Sequence, residues 1–286
     1  MFAVTGITGN VGGVVARTLL DAGLPVRAVV RDEAKCTAWT ERGCAVAVAD
    51  IHDSAAMAKA FTASEGVFIL VPPVFDPGEG FEEALSVAAS MKTALESARP
   101  GRVVYLSTIG AQAKEFNLLT QHTLIEQALC EVSIPITFLR PGWFMENAAW
   151  DVAPARDEGV IPSFLQPLDR KVSMVATADI GRVAAELLQE SSTGARVVEL
   201  EGPHRVSPND IAATFSRLLG KPVRMEIVPR ETWEGLFRGQ GMKNPGPRMR
   251  MLDGFNEGWI QFENSEAGIR KGTVGLETVL RTLVER

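Results

Sequence analysis

Hydrophobic residues in the first half of the chain follow two alternating patterns. Short runs that are apolar at nearly every position are typical of strands buried on both faces of a sheet. They cover Phe2–Thr5, Pro25–Val30, Ala45–Ala49, Gly66–Val71, Val103–Ser107 and Ile136–Leu139. Between them, the stretches Val11–Ala22, Phe81–Ala98 and Leu118–Val132 repeat apolar residues at helical spacing. This alternation predicts βαβ units with right-handed crossovers, and therefore an α/β fold with a doubly wound parallel sheet.

The pattern is less regular in the second half. It predicts a helix over Ala176–Leu188, a strand over Arg196–Leu200, a helix over Pro208–Leu219, a strand over Val223–Val228 and mostly helical residues from 229 to 286. Ser207 is a suitable N-cap for the second of these helices, and Gly220 ends it. We therefore predict a first domain over residues 1–150 and a smaller C-terminal α/β lobe over residues 151–286, with some segments returning to the sheet.

The composition excludes several classes of protein. Of the 286 residues, 46% are hydrophobic and 22% are charged, which excludes a disordered or collagen-like chain. The net charge of −6 argues against partners such as nucleic acid or an anionic membrane surface. Cys36, Cys44 and Cys130 lack the number and spacing of a disulfide framework or a zinc site. Because there is no signal peptide and no apolar run near the roughly 18 residues of a membrane span, we expect a cytoplasmic location.

A glycine-rich segment joins the first predicted strand to the first predicted helix. Its sequence is Thr5-Gly6-Ile7-Thr8-Gly9-Asn10-Val11-Gly12. Gly6 allows a tight turn, Gly9 lets a pyrophosphate approach the backbone, and Gly12 lets the helix pack close to the sheet. The helix N-terminus adds free N–H groups and a partial positive charge. The segment predicts a dinucleotide site formed by Gly6, Thr8, Gly9, Asn10, Val11 and Gly12.

The ends of the second and third predicted strands indicate which dinucleotide binds. NAD sites usually have an acidic residue at the end of the second strand, where it bonds the ribose 2′-hydroxyl. This chain has Arg31 there and Lys35 close behind, and both can bind a 2′-phosphate unless they are ordinary surface charges. Asp32 opposes this interpretation, because its charge would repel the phosphate. We predict NADP(H) rather than NAD(H), with Asp50 and Ile51 at the adenine edge; capping of the loop is the alternative for Asp50.

Several segments resemble one family. Thr137–Asn147 resembles the T-x-L-R-x-G-x-F-x-E-N segment of the NmrA-like family of atypical short-chain dehydrogenases. The glycine loop, the strand Val103–Thr108, the pair His122 and Glu126, and Ala178–Arg182 at a later helix start resemble further segments of that family. The resemblance covers roughly residues 1 to 235 and is greatest to bacterial NADPH:quinone oxidoreductases and triphenylmethane-dye reductases.

The resemblance implies a Rossmann domain, a small C-terminal lobe and a cofactor in the cleft. It implies that Pro72 and Pro73 after the fourth strand, and Ser107 and Thr108 after the fifth, line the nicotinamide side. Val71 and Pro141 are further predicted cofactor-binding residues. The resemblance also implies that Phe144 and Asn147 border the substrate. Trp143 and Phe75 are further surfaces on which a flat acceptor can stack, and packing in the core is the alternative for all three aromatic residues.

The usual catalytic pair of short-chain dehydrogenases, Tyr-x-x-x-Lys, is missing. The only tyrosine is Tyr105, inside a predicted buried strand, and no lysine follows it by four residues. Reduction of a quinone does not require a protein acid, since the product is a phenolate with a pKa of about 10 that water can protonate. His122, oriented by Glu126, is a candidate for proton transfer, or it bonds a backbone or ribose group instead. Lys114 is a further candidate donor, by analogy with isoflavone-reductase-like enzymes.

These observations support functions of different classes. The first is an NADPH-dependent oxidoreductase that transfers a hydride to a quinone or a similar flat acceptor. The alternative is a non-catalytic NADP(H)-binding redox sensor that regulates a partner protein, which the missing tyrosine and lysine also suit. A third is an enzyme that acts on a nucleotide-sugar or an aromatic natural product. No metal is expected, and a homodimer is one option that the sequence leaves open.

Overall fold

Twelve strands form one large sheet and two small ones in the computed structural model, which describes residues 1–286. They are β1 (Phe2–Thr5), β2 (Val26–Val30), β3 (Ala45–Val48), β4 (Gly66–Ile69), β5 (Val103–Leu106), β6 (Ile136–Pro141), β7 (Trp143–Phe144), β8 (Val160–Ser163), β9 (Met174–Val175), β10 (Ala195–Glu201), β11 (Arg224–Ile227) and β12 (Arg270–Lys271). Eight join in the order β12-β10-β6-β5-β4-β1-β2-β3, all in parallel. The predicted doubly wound parallel sheet is confirmed, and its strand order reverses between β1 and β4, where such sheets bind ligands.

Eleven α-helices connect the strands. They are α1 (Asn10–Asp21), α2 (Thr37–Thr40), α3 (Ser54–Phe61), α4 (Glu82–Ala98), α5 (Thr120–Cys130), α6 (Val152–Asp157), α7 (Thr177–Gln189), α8 (Pro208–Leu219), α9 (Trp233–Gly239), α10 (Gly246–Glu257) and α11 (Leu276–Val284). None combines the length and the apolar composition that crossing a membrane requires. Residues of α1 and α7 bury one face of the large sheet, and residues of α3, α4 and α5 bury the other.

The two covered faces explain why the central strands are apolar throughout. Every residue of β1, β4, β5 and β6 is buried. The third predicted strand differs, because β3 lies at the edge of the sheet and both Ala45 and Val48 are exposed. The sequence expectation of burial on both faces is therefore wrong for β3, since an apolar composition does not reveal which strand ends up at an edge.

The second half of the chain divides between the sheet and a smaller lobe. α7, β10 and β12 return to the sheet, and α7 packs against α1. At their contact, a Cβ atom on Gly181 would lie 2.4 Å from Cβ of Val14, so only glycine fits there. The lobe is built around a separate buried cluster that includes Phe215, Phe255 and Leu280. The domain boundary after residue 150 stays a prediction.

Two helices begin later than the hydrophobic spacing predicts. α4 begins at Glu82 rather than Phe81, because Gly80 and Phe81 have positive φ angles of 80° and 55°. α5 begins at Thr120 rather than at residue 118, because Asn117 Oδ1 accepts a hydrogen bond from the backbone N–H of Leu119 and turns the chain ahead of the helix. In both places a turn next to the helix overrides its periodic pattern.

Candidate cofactor and acceptor site

The glycine loop between β1 and α1 has the conformation that its spacing predicts. Gly6 has a φ of +62°, in the region that favours glycine, and its carbonyl oxygen accepts from the backbone N–H of Gly9 at 3.0 Å. A Cβ atom on Gly12 would lie 2.3 Å from that same carbonyl oxygen. The absence of a side chain at residue 12 therefore allows α1 to begin directly beside the loop.

The N-terminus of α1 is open to a ligand. Gly9 occupies the N-cap without a capping side chain, and the first turn contains no acidic residue. The backbone N–H groups of Asn10, Val11 and Gly12 make no hydrogen bond within the protein. Thr8 and Asn10 are exposed beside them. Unpaired N–H groups and a partial positive charge at a helix N-terminus suit a diphosphate, so this chain's own residues fit a dinucleotide.

The side chains that follow β2 and β3 lie at the same edge of the sheet as the glycine loop. Arg31 and Lys35 are exposed and have no acidic partner. Asp32, the residue that opposed a phosphate site, accepts a hydrogen bond from the N–H of Ala34 and caps a local turn. Asp50 accepts likewise from the N–H of His52 at 2.9 Å, which is the capping alternative. The arrangement leaves the two cations free for an anionic ligand.

The ends of β4, β5 and β6 meet beside this loop. Thr5 Oγ1 accepts from the backbone N–H of Leu70 at 2.8 Å, which connects β1 to the chain after β4. The six residues predicted to bind the cofactor at these strand ends differ in burial: Pro72 and Pro73 are exposed, Val71 and Thr108 are half-buried, and Ser107 and Pro141 are buried. Their roles toward a cofactor stay predictions.

A buried ion pair connects α5 to β6 next to these strand ends. Glu126 and Arg140 form two parallel bonds, with Arg140 Nε 2.9 Å from Oε1 and Nη2 2.6 Å from Oε2. Ser107 Oγ donates to the same carboxylate at 2.5 Å, so its hydroxyl proton is engaged within the protein. Arg140 also pairs with Glu263 of the C-terminal lobe. Because Glu126 is occupied in this way, it does not orient His122, and that expectation is wrong.

His122 bonds to the chain's only tyrosine instead. Its Nδ1 lies 2.8 Å from the hydroxyl oxygen of Tyr105, which is fully buried in β5. The tyrosine donates this bond, because its hydroxyl has no other acceptor and a buried unpaired donor costs about 1–3 kcal/mol. Burial lowers the pKa of His122 to about 4, so the ring is neutral at pH 7 and carries its proton on Nε2. A neutral imidazole donates a hydrogen bond but releases no proton readily, which favours the alternative of a polar contact.

The lowered pKa of His122 predicts a loss of stability in acid. The folded state binds this proton only near pH 4, whereas the unfolded state binds it near pH 6.5, so stability falls as the pH drops through that window. The full difference corresponds to about 3 kcal/mol, and the half-buried position of the ring reduces the expected loss to about 2 kcal/mol. Urea unfolding at pH 7.5 and at pH 4.5 should show this extra loss in the wild type and not in His122→Asn. The exposed His204 provides the control, and a His204→Asn variant that removes the same loss would contradict the assignment.

The aromatic residues predicted to border the acceptor are partly accessible to solvent. Trp143 and Phe144 form β7 and are half-buried, and Asn147 is exposed in the turn that follows. The Trp143 ring meets the Phe255 ring edge-to-face at 5.1 Å, and Phe144 packs against the core of the sheet, so both have structural contacts. Phe75, beyond β4, is 59% exposed. Their roles toward an acceptor stay predictions.

The segment Gly239–Phe262 packs across the loops that follow β4 and β5. Asp76 accepts from the backbone N–H groups of Lys243 and Asn244, at 2.9 and 2.7 Å. The carbonyl of Pro247 accepts from the N–H of Leu118 at 2.9 Å. The segment therefore contributes a wall to this edge of the sheet.

Three contacts at the site escape sequence reasoning. Two of them join residues of different elements, so no sequence spacing predicts them: Tyr105 with His122, and Glu126 with Arg140. Glu146 of the E-N motif accepts from the N–H and the hydroxyl of Thr177, so it caps α7. One signal could have indicated this role: the motif contains a glutamate, and a later helix has no capping side chain of its own.

The exposed Lys114 makes no side-chain hydrogen bond, and its role stays a prediction.

The doubly wound sheet, the glycine loop and the open N-terminus of α1 define a protein of the dinucleotide-binding α/β class. The model of the NmrA-like family matches residues 1–249, and the chain belongs to that family. The match extends beyond the roughly 235 residues that the motifs indicated and includes the first part of the segment Gly239–Phe262.

Named relatives span most of the chain. The NAD(P)H azoreductase of Xenophilus azovorans is 31% identical over 245 residues, which are 85% of this chain and 82% of the relative. Quinone oxidoreductase 2 of Escherichia coli is 26% identical over 85% of this chain and 82% of its own length. The crystal structure of that oxidoreductase with NADPH covers 99% of both chains with a TM-score of 0.82 and 24% identity. The Citrobacter triphenylmethane reductase complexed with NADP(H) has a TM-score of 0.79 and 22% identity, covering 98% of this chain and 99% of its own.

Proposed function

We propose that this protein is an NADPH-dependent reductase that transfers a hydride to a quinone or a similar flat acceptor. The observation that carries the proposal is the free N-terminus of α1 beside the unpaired cations Arg31 and Lys35. The first suits a diphosphate, and the second suits a 2′-phosphate. Relatives of the same family are named as azo, quinone and dye reductases, which supports this choice of reaction.

The chain's own residues need to do little chemistry in this reaction. The bound dinucleotide supplies a hydride, which brings two electrons and one proton to the acceptor. The resulting phenolate takes a second proton from water, since its pKa is about 10. Trp143 and Phe144 hold the acceptor flat, and the Nε2–H of His122 orients a polar group by a hydrogen bond. A reaction that needs no protein acid agrees with a neutral His122 and with the missing Tyr-x-x-x-Lys pair.

A kinetic comparison of the two dinucleotides tests the proposal. Consumption of NADPH and of NADH is followed in parallel with a panel of water-soluble quinones. Fast loss of NADPH and slow loss of NADH is the expected result. Tight binding of NADPH without turnover of any acceptor would overturn it and favour the non-catalytic sensor. The cytoplasmic location and the homodimer stay predictions.

Arg31→Ala should weaken NADPH much more than NADH. A guanidinium on a phosphate makes charge-assisted bonds, whose loss corresponds to roughly a 10- to 100-fold rise in Kd. NADH lacks the 2′-phosphate, so its Kd should change less than about threefold. Titration of each dinucleotide by fluorescence measures both constants. Lys59→Ala, which removes an exposed cation from α3, is the control, and an equal loss for NADPH and NADH in Arg31→Ala would exclude Arg31 from the 2′-phosphate site.

A further inference from the structure

Arg248, in the first turn of α10, is held in one position by its neighbours. Its guanidinium carbon lies 4.4 Å from the centroid of the Phe237 ring, and Nη1 lies 3.7 Å from Sδ of Met242. Phe237 is fully buried and stacks on Phe164 at 5.2 Å, so the platform beneath the guanidinium is rigid. The side chain of Arg248 is half-buried, which leaves part of it accessible.

The charge of Arg248 has no partner in the protein. Three other arginines of the same region pair with carboxylates, namely Arg230 and Arg250 with Asp253, and Arg238 with Glu234. Arg248 makes no contact with a carboxylate or with a carbonyl oxygen, and burial lowers its pKa. A guanidinium remains protonated in proteins all the same. A partly desolvated cation without an internal counterion is therefore available to an anion from outside the protein.

The surroundings of Arg248 belong to the acceptor side of the site. The carbonyl of the preceding residue, Pro247, accepts from the N–H of Leu118 in the loop before α5, and Asp76 beyond β4 accepts from the N–H of Asn244. Trp143 packs against the cluster that contains Phe237 and Met242. Arg248 and Trp143 therefore both contact this one cluster: the guanidinium of Arg248 lies over Phe237, and the Trp143 ring also meets Phe255 of α10.

We propose that Arg248 receives an acidic group on the acceptor, so that the preferred substrates are flat aromatic molecules carrying a carboxylate, sulfonate or phosphate. Two oxygens of such a group match two parallel N–H donors of the guanidinium, while the aromatic part of the same molecule lies against Trp143. This inference rests on the proposed reductase function. It adds a second point of attachment, which gives the acceptor one orientation instead of several.

Equilibrium binding tests the proposal without any turnover. Naphthalene sulfonate and naphthol, neither of which is a hydride acceptor, are titrated into the protein with NADP⁺ present. Arg248→Met keeps an unbranched apolar stem and removes the charge, and should weaken the sulfonate by roughly 10- to 100-fold while the naphthol changes less than about threefold. Arg248→Lys should retain part of the preference. Arg250→Met, which removes a neighbouring arginine that already has a partner, should leave both ligands unchanged.

Turnover then separates this proposal from the proposed function. With naphthoquinone and its sulfonate derivative, Arg248→Met should lower kcat/KM for the sulfonate alone. Equal losses for both ligands, or no loss for either, in a variant with a wild-type melting temperature would overturn the role of Arg248. If the sulfonate binds through Arg248 and no quinone is reduced, the anion site stands and the reductase function fails.

Discussion

Gly12→Ala is expected to lower the affinity for NADPH by at least about 100-fold, or about 3 kcal/mol. A Cβ atom there would lie 2.3 Å from the carbonyl oxygen of Gly6, 2.6 Å from its carbonyl carbon and 2.9 Å from the nitrogen of Ile7. All three are backbone atoms, so the loop must move rather than a flexible side chain. Because the same loop carries the free N–H groups, its displacement removes the diphosphate site.

The measurement is a titration of NADPH together with a thermal unfolding curve. Overpacking of this size destabilises by about 1–3 kcal/mol, which a domain of ordinary stability tolerates, so the variant should remain folded. Gly235→Ala is the matched control, since nothing lies within 4 Å of a Cβ atom at that helical position. Wild-type affinity in a folded Gly12→Ala variant would show that the dinucleotide binds elsewhere.

Glu126→Leu is expected to destabilise the protein by about 3–5 kcal/mol. The variant removes the buried bidentate partner of Arg140 and leaves its guanidinium paired only with the exposed Glu263. The two side chains are only 9% and 7% exposed, whereas Glu263 is 51% exposed. The hydroxyl of Ser107 loses its acceptor in the same variant. Urea unfolding at pH 7.5 gives the free energy of unfolding.

A double variant makes this prediction specific. Glu126→Leu with Arg140→Met replaces the pair by apolar groups of similar volume and should recover most of the loss, since no buried charge remains. Glu126→Gln keeps the shape and some of the hydrogen bonds, and should fall between the wild type and Glu126→Leu. A single variant that costs less than about 1 kcal/mol would show that the pair is accessible to water in solution.

The parts of the site that local sequence predicts are those built from consecutive residues. The glycine loop and α1 occupy residues 5 to 21, and the turn at Gly6, the contact at Gly12 and the start of the helix all depend on neighbours in that short stretch. The cap of α8 by Ser207 is predicted for the same reason, with Asp210 Oδ2 accepting the N–H of Ser207 in return. In such places φ preference and capping decide the structure.

The partners of polar side chains were not predictable in this way. His122 and Glu126 are one helical turn apart, a spacing that predicts a contact between them. In the structure His122 bonds to Tyr105, 17 positions away, and Glu126 bonds to Arg140, 14 positions away. These contacts form because leaving a buried polar group unpaired costs free energy. The edge position of β3 and the missing counterion of Arg248 likewise depend on which elements become neighbours.

The sequence by itself determined the alternation of strands and helices in the first half of the chain, the phosphate loop and the family, because periodicity, glycine conformation and helix ends act over a few residues. Only the tertiary structure decided which titratable groups meet, that His122 is neutral and bonded to Tyr105, and that Arg248 lies over Phe237 without a counterion. The reason is physical. Desolvation and steric contact depend on all the atoms around a group, and those atoms come from segments that lie far apart along the chain.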